Sequence, residues 1–305
     1  MRQTSQAGQF IISLDCEGKW GMADKISSAH DVITHDALLK TYKDLVALFK
    51  KYKIKATFAF VGMFTLTEKE RGRYAELSRD VVCNGENWYK HYRLSQKAGE
   101  TEGWFCPEAW DIVSQTDHEI ASHGFSHVPY SGGNVDRKDL AFDISAAMQV
   151  AKDKGQDIKT FIYPRNRIGH QDLLREAGLL SYRELLPPKG KVKSLLSELN
   201  IIENSQKNMS AHGGLQRIPS GYFFNWRSGP RKYVPQRATL MRWKSILNHA
   251  AKTGDVAHLW LHPHNLITAP DTMNVLKDVV HYAAKLQDAG QMQSVTQLDY
   301  TLQRH

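Results

Sequence analysis

Two acidic residues end the first apolar run of the chain and are its first candidates for chemistry. Residues 11–18 read Ile-Ile-Ser-Leu-Asp-Cys-Glu-Gly, so Asp15 and Glu17 close a run typical of a buried strand. Side chains alternate along a strand, which places both carboxylates on one side and Cys16 on the other. Two such carboxylates repel each other unless a cation or a proton separates them. The alternative is that they cap the following helix or face water, and the pair alone does not decide.

Two histidines form the second candidate group. His123 and His127 lie four residues apart in the stretch His-Glu-Ile-Ala-Ser-His-Gly-Phe-Ser-His. This spacing puts two imidazoles on one face of a helical turn, where they can share a metal ion. With Glu17 they would supply two nitrogens and one carboxylate and leave positions for water and substrate. The motif alone is weak because the chain has 14 histidines, and we expect His118 to be structural.

Two later strand ends supply the remaining candidates. His262 ends an apolar run at residues 256–262, where a histidine can act as a general acid for a leaving amine. For His258 and His264 we expect ordinary packing or surface roles. Arg165 follows another apolar run and can orient a carboxylate, the alternative being an exposed loop cation.

These residues must be positioned by strands that end at a common edge. Short apolar runs predict strands at Gln9–Asp15, Ala56–Gly62, Glu119–Ser122, Thr160–Pro164, Val256–His262 and Ser294–Leu298, and more weakly at Leu180–Glu184 and Arg217–Phe223. Amphipathic patterns predict helices at Asp36–Tyr52, Lys138–Lys154, Gln171–Ala177, Tyr233–Lys252 and Asp271–Ala289. The alternation predicts an α/β fold with a mostly parallel sheet, and seven or eight strands suit an incomplete barrel. In such folds the site lies at the carboxyl ends of the strands.

One long stretch, Met63–Asp117, departs from this alternation. It carries charge clusters and then an aromatic group made up of Trp88, Tyr89, Tyr92, Trp104, Phe105 and Trp110. We predict an insertion that decorates one face of the barrel. The chain shows neither a low-complexity linker nor an internal repeat, so we predict a single domain over residues 1–305.

The amino-acid composition limits the classes of protein to which the chain can belong. The 305 residues include 41% hydrophobic and 24% charged residues, an ordinary globular composition rather than a disordered or fibrous one. Three cysteines without a CxxC pair argue against a disulfide framework and against a cysteine-rich zinc site. No apolar stretch is long enough to span a membrane, and the polar N-terminus does not resemble a signal peptide. We therefore expect a cytoplasmic protein.

The net charge of +8 is scattered along the chain. The densest basic run, at residues 50–55, lies at a predicted helix end, where cations complement the helix dipole. We expect no nucleic-acid partner, because no recognised motif and no basic–aromatic stripe is present. The charge instead favours an anionic substrate.

In their order and context these motifs resemble the polysaccharide deacetylases of carbohydrate esterase family 4, the NodB-homology fold. The opening motif of that family, Thr-Phe-Asp-Asp-Gly, corresponds to Ser-Leu-Asp-Cys-Glu-Gly here, with glutamate replacing the second aspartate. The segments Ala-Thr-Phe-Ala-Phe-Val-Gly at 56–62, His-Gly-Phe-Ser-His at 123–127 and Leu-His-Pro at 261–263 also match. The resemblance covers most of residues 9–302 and implies a distorted, incomplete (β/α)7-type barrel.

The resemblance also implies roles for the candidates. Asp15 would be the catalytic base and His262 the general acid, while Glu17, His123 and His127 would bind one divalent metal ion. Zinc is the first choice for that ion, with cobalt, nickel, iron or manganese as alternatives. The arginine motif departs from the family because Tyr-Pro-Arg-Asn places Arg165 after the proline. On the resemblance we still expect Arg165 to orient the base.

The reaction implied is hydrolysis of an N-acyl group, in the first place N-acetyl, from an amino sugar in surface-polysaccharide or O-antigen biosynthesis. An N-formylamino sugar is the alternative substrate, and a non-catalytic glycan-binding protein on the same fold is the alternative class. Whether the sugar is free, nucleotide-linked or lipid-linked stays open, as does the oligomeric state. The candidates for contacting the sugar are Trp104, Tyr163, Asn166, Tyr222, Trp226 and Arg227.

Overall fold

The computed structural model describes residues 7–74, 80–185, 206–224, 226–227 and 229–304. Within these ranges the main sheet has nine strands, all paired in parallel. They are β1 (Gly8–Cys16), β2 (Thr57–Phe60), β5 (Glu119–Ser122), β6 (Thr160–Phe161), β7 (Ser181–Arg183), β8 (Gln216–Ile218), β9 (Tyr222–Phe223), β10 (Val256–Leu261) and β11 (Met292–Ser294), while β3 (Val82–Cys83) and β4 (Glu86–Asn87) form a separate antiparallel pair.

The sheet is curled, and its connectivity shows why. The strand order is β8-β7-β6-β5-β2-β1-β10-β9, with β11 paired to β1. Only residues 219–221 join β8 to β9, although these strands lie at opposite ends of the order. A connection of that length spans at most about 14 Å, so the two edges must approach each other. The fold is therefore a distorted, incomplete (β/α)7-type barrel, which confirms the predicted fold class.

Glycine is required in the connection between these edges. Gly221 has a φ of +73°, a conformation that side chains with a Cβ rarely adopt. A Cβ at this position would lie 2.9 Å from the ring of His258 on β10. The missing side chain therefore lets the connection pass directly against β10.

Ten α-helices accompany the strands in the described ranges. They are α1 (His35–Lys51), α2 (Glu68–Tyr74), α3 (Lys90–Lys97), α4 (Pro107–Ser114), α5 (Arg137–Asp153), α6 (Gln171–Glu176), α7 (Gln236–Thr253), α8 (Pro263–Thr268), α9 (Asp271–Asp288) and α10 (Gln297–Leu302). Helix α1 shows how the sequence specifies such an element: the Thr34 hydroxyl accepts a hydrogen bond from the Ala37 amide at 3.2 Å, and two lysines occupy the last turn. None of the helices in these ranges is both long and apolar enough to cross a membrane.

Two element predictions need correction. The run predicted as a strand at Ser294–Leu298 is divided, because β11 ends at Ser294 and α10 begins at Gln297. The Thr296 hydroxyl accepts from the Asp299 amide while the Asp299 carboxylate accepts from the Thr296 amide, a capping box that starts a helix. The run Arg217–Phe223 likewise contains two strands, β8 and β9.

Residues 63–117 carry α2, α3, α4 and the β3–β4 pair. Their aromatic side chains pack on Trp20, which has its ring centroid 4.9 Å from that of Trp104 and 5.0 Å from that of Tyr92. These residues belong to the same buried apolar cluster as the strands of the barrel. That the segment is an insertion in a single-domain protein stays a prediction.

Candidate functional site

The carboxyl ends of β1, β5 and β10 bring five of the predicted residues together, namely Asp15, Glu17, His123, His127 and His262. Glu17 and His123 each follow directly on a strand, β1 and β5, and His262 follows β10. The Glu17 Oε2 atom lies 2.7 Å from Nε2 of His127 and 3.2 Å from Nε2 of His123. All three side chains are buried, and one ligand atom from each lies within 4.8 Å of the others. The structure thus assembles the two-histidine, one-carboxylate set that the sequence indicates.

The hydrogen bonding of His123 shows what this set can hold. Its Nδ1 lies 2.7 Å from the carbonyl oxygen of Ile162, which can only accept, so Nδ1 carries the hydrogen. In the neutral ring, Nε2 then presents a lone pair to the ionised Glu17 carboxylate. Two lone-pair-bearing atoms at 3.2 Å need a cation or a proton between them. The set of Glu17, His123 and His127 therefore fits a divalent metal ion. The Ile162 carbonyl fixes the orientation of the His123 ring, as hydrogen-bond acceptors behind metal-bound histidines commonly do.

A buried carboxylate on α5, absent from the sequence prediction, holds the loop that carries both histidines. Asp143 accepts hydrogen bonds from the amides of Phe125 and Ser126 at 2.8 and 2.9 Å, and from the hydroxyls of Ser126 and Tyr130 at 2.6 and 2.9 Å. A Cβ at Gly124, where φ is +76°, would lie 2.7 Å from this carboxylate. Glycine is therefore required at this position of the histidine loop.

Space for Glu17 comes from a second glycine. A Cβ at Gly21 would lie 1.9 Å from Oε1 of Glu17 and 2.3 Å from its Cδ. Glutamate is one methylene longer than the aspartate of the usual family motif. The missing side chain at Gly21 leaves the room that this extra length takes up.

Asp15 is bound by an arginine that the sequence analysis did not select. Arg183 on β7 donates from Nη1 to Oδ1 and from Nη2 to Oδ2 of Asp15, both at 2.7 Å, and both side chains are buried. The two strands are not neighbours in the sheet, so the arginine crosses the barrel interior. Burial raises the pKa of Asp15, the charge and hydrogen bonds of Arg183 oppose this rise, and the net pKa is lowered. Asp15 is therefore an ionised carboxylate at neutral pH.

The same guanidinium is fixed by further polar partners. Its Nη2 donates to Asn166 Oδ1 at 3.0 Å and its Nη1 to Ser13 Oγ at 3.2 Å. Ser13 lies 2.8 Å from Nε2 of His258, whose Nδ1 lies 2.5 Å from the Pro219 carbonyl. Since a carbonyl only accepts, Nδ1 is the donor there and Nε2 accepts from the serine hydroxyl. Burial first, and then the charge of Arg183, lower the pKa of His258 to about 3, so it is neutral.

Arg165 does not lie beside Asp15, contrary to expectation. Its two terminal nitrogens bind the carboxylate of Asp24, with Nη1 at 2.7 Å from Oδ2. Arg165 has a φ of +56° in the turn after Pro164, and its guanidinium lies 5.0 Å from the ring of Trp88. The place beside Asp15 is taken by Arg183, which approaches from β7. The only sequence signal was a charged residue inside the weakly predicted strand Leu180–Glu184.

His262 faces both acidic residues. Its Nε2 lies 3.5 Å from Oε1 of Glu17 and 3.9 Å from Oδ2 of Asp15. The side chain is 22% exposed, whereas those of the two acids are nearly inaccessible. Asn265 lies 3.1 Å from Nδ1 and fixes the ring from behind. His264 is buried and stacks on His262 with centroids 5.1 Å apart.

The residues predicted to contact sugar are dispersed. Trp104, Tyr163 and Tyr222 are buried in packing and present no surface to a sugar. Asn166 binds Arg183 instead. In the loop before α7, Trp226 donates to the Thr268 hydroxyl at 3.0 Å, and Arg227 donates to backbone carbonyls. For these two residues a sugar contact stays a prediction.

The comparisons with known proteins agree with this fold. Residues 28–185 match the family model for polysaccharide deacetylase. This match covers more than half of the chain, which therefore belongs to the polysaccharide deacetylase family. No curated protein matches the chain significantly.

Solved structures share the fold at low sequence identity. A putative polysaccharide deacetylase from Mycobacterium smegmatis aligns with a TM-score of 0.58 at 14% identity, over 99% of this chain and 92% of that one. A probable polysaccharide deacetylase from Pseudomonas aeruginosa PAO1 gives 0.54 at 13% identity, over 96% and 89%. The PuuE allantoinase gives 0.55 at 13% identity, over 96% and 88%. Identities this low establish the fold alone.

Proposed function

We propose that the protein is a metal-dependent hydrolase that removes the N-acetyl group from an amino sugar. The observation that carries the proposal is the placement of an ionised Asp15 and of His262 against one metal-ligand set. Family membership supports an amide of a carbohydrate as the substrate.

Glu17, His123 and His127 would hold the divalent ion. A bound ion of this kind lowers the pKa of a water molecule and polarises the carbonyl group of the scissile amide. Two imidazoles and one carboxylate suit zinc, and also cobalt, nickel, iron or manganese. The buried position of all three side chains keeps bulk water from competing for them.

Asp15 acts as the base in this proposal. Its carboxylate is ionised, so it accepts the proton of the attacking water. Arg183 binds both oxygens at 2.7 Å and holds the carboxylate in one orientation. The arginine is a positioning residue, because it contacts Asp15 and acts through it.

His262 acts as the acid. An amide nitrogen leaves poorly as an anion, so the sugar amine must receive a proton as the carbon–nitrogen bond breaks. The imidazole is the most exposed member of the group and faces the base at 3.9 Å. It can therefore reach a substrate that enters from solvent.

Two alternatives stay open. An N-formyl group reacts by the same chemistry and differs only in the room needed beside the acyl carbon. A non-catalytic glycan-binding protein would need neither a base nor an acid, and the placement of Asp15 and His262 argues against it.

The experiment measures bound metal and acyl release together. Wild-type protein, Asp15→Asn and Glu17→Gln are assayed for metal by mass spectrometry and for acetate and formate release from N-acetyl and N-formyl amino sugars. We expect Asp15→Asn to keep the metal and lose roughly 10²–10⁴-fold in kcat/KM, and Glu17→Gln to lose both. The absence of bound metal and of any acyl release from the wild type would refute the proposal.

We also propose a role in surface-polysaccharide biosynthesis in a reducing compartment. The three cysteines support the compartment, since all are buried free thiols. Burial raises the pKa of Cys16 and Cys106, which keeps both as unreactive thiols. Fractionation of producing cells, with thiol labelling of the recovered protein, tests the location.

A further inference from the structure

A cavity of about 390 Å³ lies beside the candidate site and takes no part in the chemistry proposed above. Its walls come from the β3–β4 pair, from the loop after His127 and from the loop after β6. The side chains that line it include those of Trp88, His91, Asn84, Arg165 and Arg167.

Trp88 links this cavity to the metal-ligand loop. Its Nε1 donates to the backbone carbonyl of Ser126 at 2.8 Å, and Ser126 directly precedes His127. The guanidinium of Arg165 lies 5.0 Å from the same indole ring. Arg165 is close enough to Glu17 for the two charges to interact. The cavity therefore adjoins the loop that carries His127.

The charges that line the cavity leave one cation uncompensated. Asp24 is neutralised by Arg165, and Glu86 by Lys90 at 3.5 Å. Arg167 has no side-chain hydrogen bond and no ion pair among the residues that the structure describes. Its Nη1 would lie 3.5 Å from a Cβ at Gly132, so the guanidinium rests over that glycine at the cavity wall.

The backbone around Arg167 is held in an unusual conformation. Arg165, Asn166 and His170 have φ values of 56°, 52° and 50°, a region that residues other than glycine seldom occupy. A Cβ at Gly169 would lie 2.4 Å from the Tyr130 carbonyl oxygen, so the loop is pressed against the loop after His127. Such strain is tolerated where the surroundings fix the chain, and it is common at ligand-binding sites.

We propose that this cavity binds an anionic oxygen group of the sugar substrate, a phosphate or a carboxylate, and that Arg167 is its principal contact. A guanidinium matches the geometry of both groups and can bind two of their oxygens. The partly buried imidazole of His91 and the exposed amide of Asn84 line the same cavity and can donate further hydrogen bonds. The inference rests on the proposed function, because it names the substrate class of that site.

The first arm of the test compares rates. Acetyl release is measured from neutral N-acetylglucosamine oligomers, from oligomers that alternate an N-acetylhexosamine with glucuronate, and from N-acetylglucosamine 1-phosphate. We expect kcat/KM of the wild type to be at least tenfold higher for one of the anionic sugars than for the neutral one. Arg167→Ala should lower this ratio by about tenfold, whereas Lys43→Ala, which removes the same charge from the exposed face of α1, should leave it unchanged. A ratio near one in the wild type, or one unaffected by Arg167→Ala, overturns the proposal.

The second arm measures binding and separates the two proposals. Isothermal titration of the metal-loaded protein with the same two anionic sugars should show binding that weakens at least fivefold in Arg167→Ala and weakens with added salt. Binding that depends in this way on Arg167 and on salt, but without acyl release from any sugar, would support anion binding in the cavity and refute the proposed hydrolase activity. Equal binding by the wild type and by Arg167→Ala would refute anion binding in the cavity, whether or not the protein releases acyl groups. The carboxylate and phosphate probes show which of the two anions is preferred.

Discussion

At the scale of single residues, Arg183 shows how the fold of the barrel sets the environment of Asp15. The arginine is buried, yet its charge is balanced by Asp15, and its two terminal nitrogens donate further hydrogen bonds to Ser13 and Asn166. Removing one partner of a buried ion pair leaves the other without compensation, which costs far more than the loss of an exposed pair. The buried charge of Arg183 therefore holds the Asp15 carboxylate firmly in one position.

We predict that Arg183→Ala lowers kcat by about 10²-fold or more and that Arg183→Lys restores only part of the loss, because an ammonium group cannot bind both carboxylate oxygens in the same plane. Added guanidinium at millimolar concentration should raise the activity of Arg183→Ala and leave that of the wild type unchanged. Steady-state kinetics with bound-metal analysis tests this. Equal activity of the lysine variant and the wild type would contradict a positioning role.

The sequence was informative for residues whose roles are local. Glu17, His123 and His127 could be selected because spacing and strand ends place them together. Arg183 could not, since its contact with Asp15 depends on how far the sheet curls, and no short-range pattern encodes that curl. Arg165 was a reasonable choice by position, but the turn after Pro164 directs it to Asp24.

At the scale of elements, the turn after β1 must leave room for the side chain of Glu17, which is one methylene longer than that of an aspartate. We predict that Gly21→Ala lowers metal affinity at least tenfold, because a methyl group would overlap the Glu17 carboxylate. The double variant Glu17→Asp/Gly21→Ala should recover part of the loss, since the shorter side chain withdraws from the methyl group. Competition with a chromophoric chelator measures the affinity.

Gly72→Ala is the matched control for this experiment. Gly72 lies in α2, and a Cβ there meets no atom within 4 Å. Its metal affinity should equal that of the wild type. Wild-type affinity in Gly21→Ala as well would show that Glu17 has room without the glycine.

Helix α5 supports the histidine loop through one carboxylate. We predict that Asp143→Asn destabilises the fold by about 2–3 kcal/mol, because the amide group would oppose N–H donors that now face an acceptor. Metal affinity should fall roughly 10–100-fold, as it does when groups behind metal ligands are removed. Urea unfolding and chelator competition test the two effects. Asp139→Asn, in the first turn of the same helix, should change stability by less than about 0.5 kcal/mol.

At the scale of the whole molecule, the alternation of strands and helices could be predicted because each element carries its own periodicity. The helix at Asp36–Tyr52, for example, is observed as α1 at His35–Lys51. The order of strands in the sheet, the approach of β8 to β9 and the three strands that pair with β1 come from tertiary contacts instead. Helix capping outweighs the strand-like pattern at residues 294–298, because Thr296 and Asp299 start a helix inside a run predicted as a strand.

Stability should depend on pH through a histidine far from the candidate site. His118 packs on Phe49 and Phe58, and burial lowers its pKa to about 4 despite the opposing charge of Asp117. In the unfolded chain the pKa is about 6.5, so the unfolded state takes up the proton first as pH falls. The contribution of His118 is therefore fully present above pH 6.5 and is lost between about 6.5 and 4.

We predict that His118→Phe flattens the fall in stability across this range. The wild type should lose at most about 1.4 kcal/mol more per pH unit than the variant, and less to the extent that solvent reaches the ring. Urea unfolding at pH 7, 6, 5 and 4 measures the difference. Parallel curves for the two proteins would show that His118 is solvated in the native state.

The pairing of β1 has a consequence for biosynthesis on the ribosome. This strand is made before its three partners, and two of them, β10 and β11, begin only at Val256 and Met292. Contacts between such distant segments form late and slow the folding of a chain. Asp15 and Glu17 thus emerge well before Arg183 and His262 exist. The nascent protein must keep one edge of this fully buried strand unpaired until residues 256–294 have been translated, and we expect that exposed edge to make it prone to aggregation during synthesis.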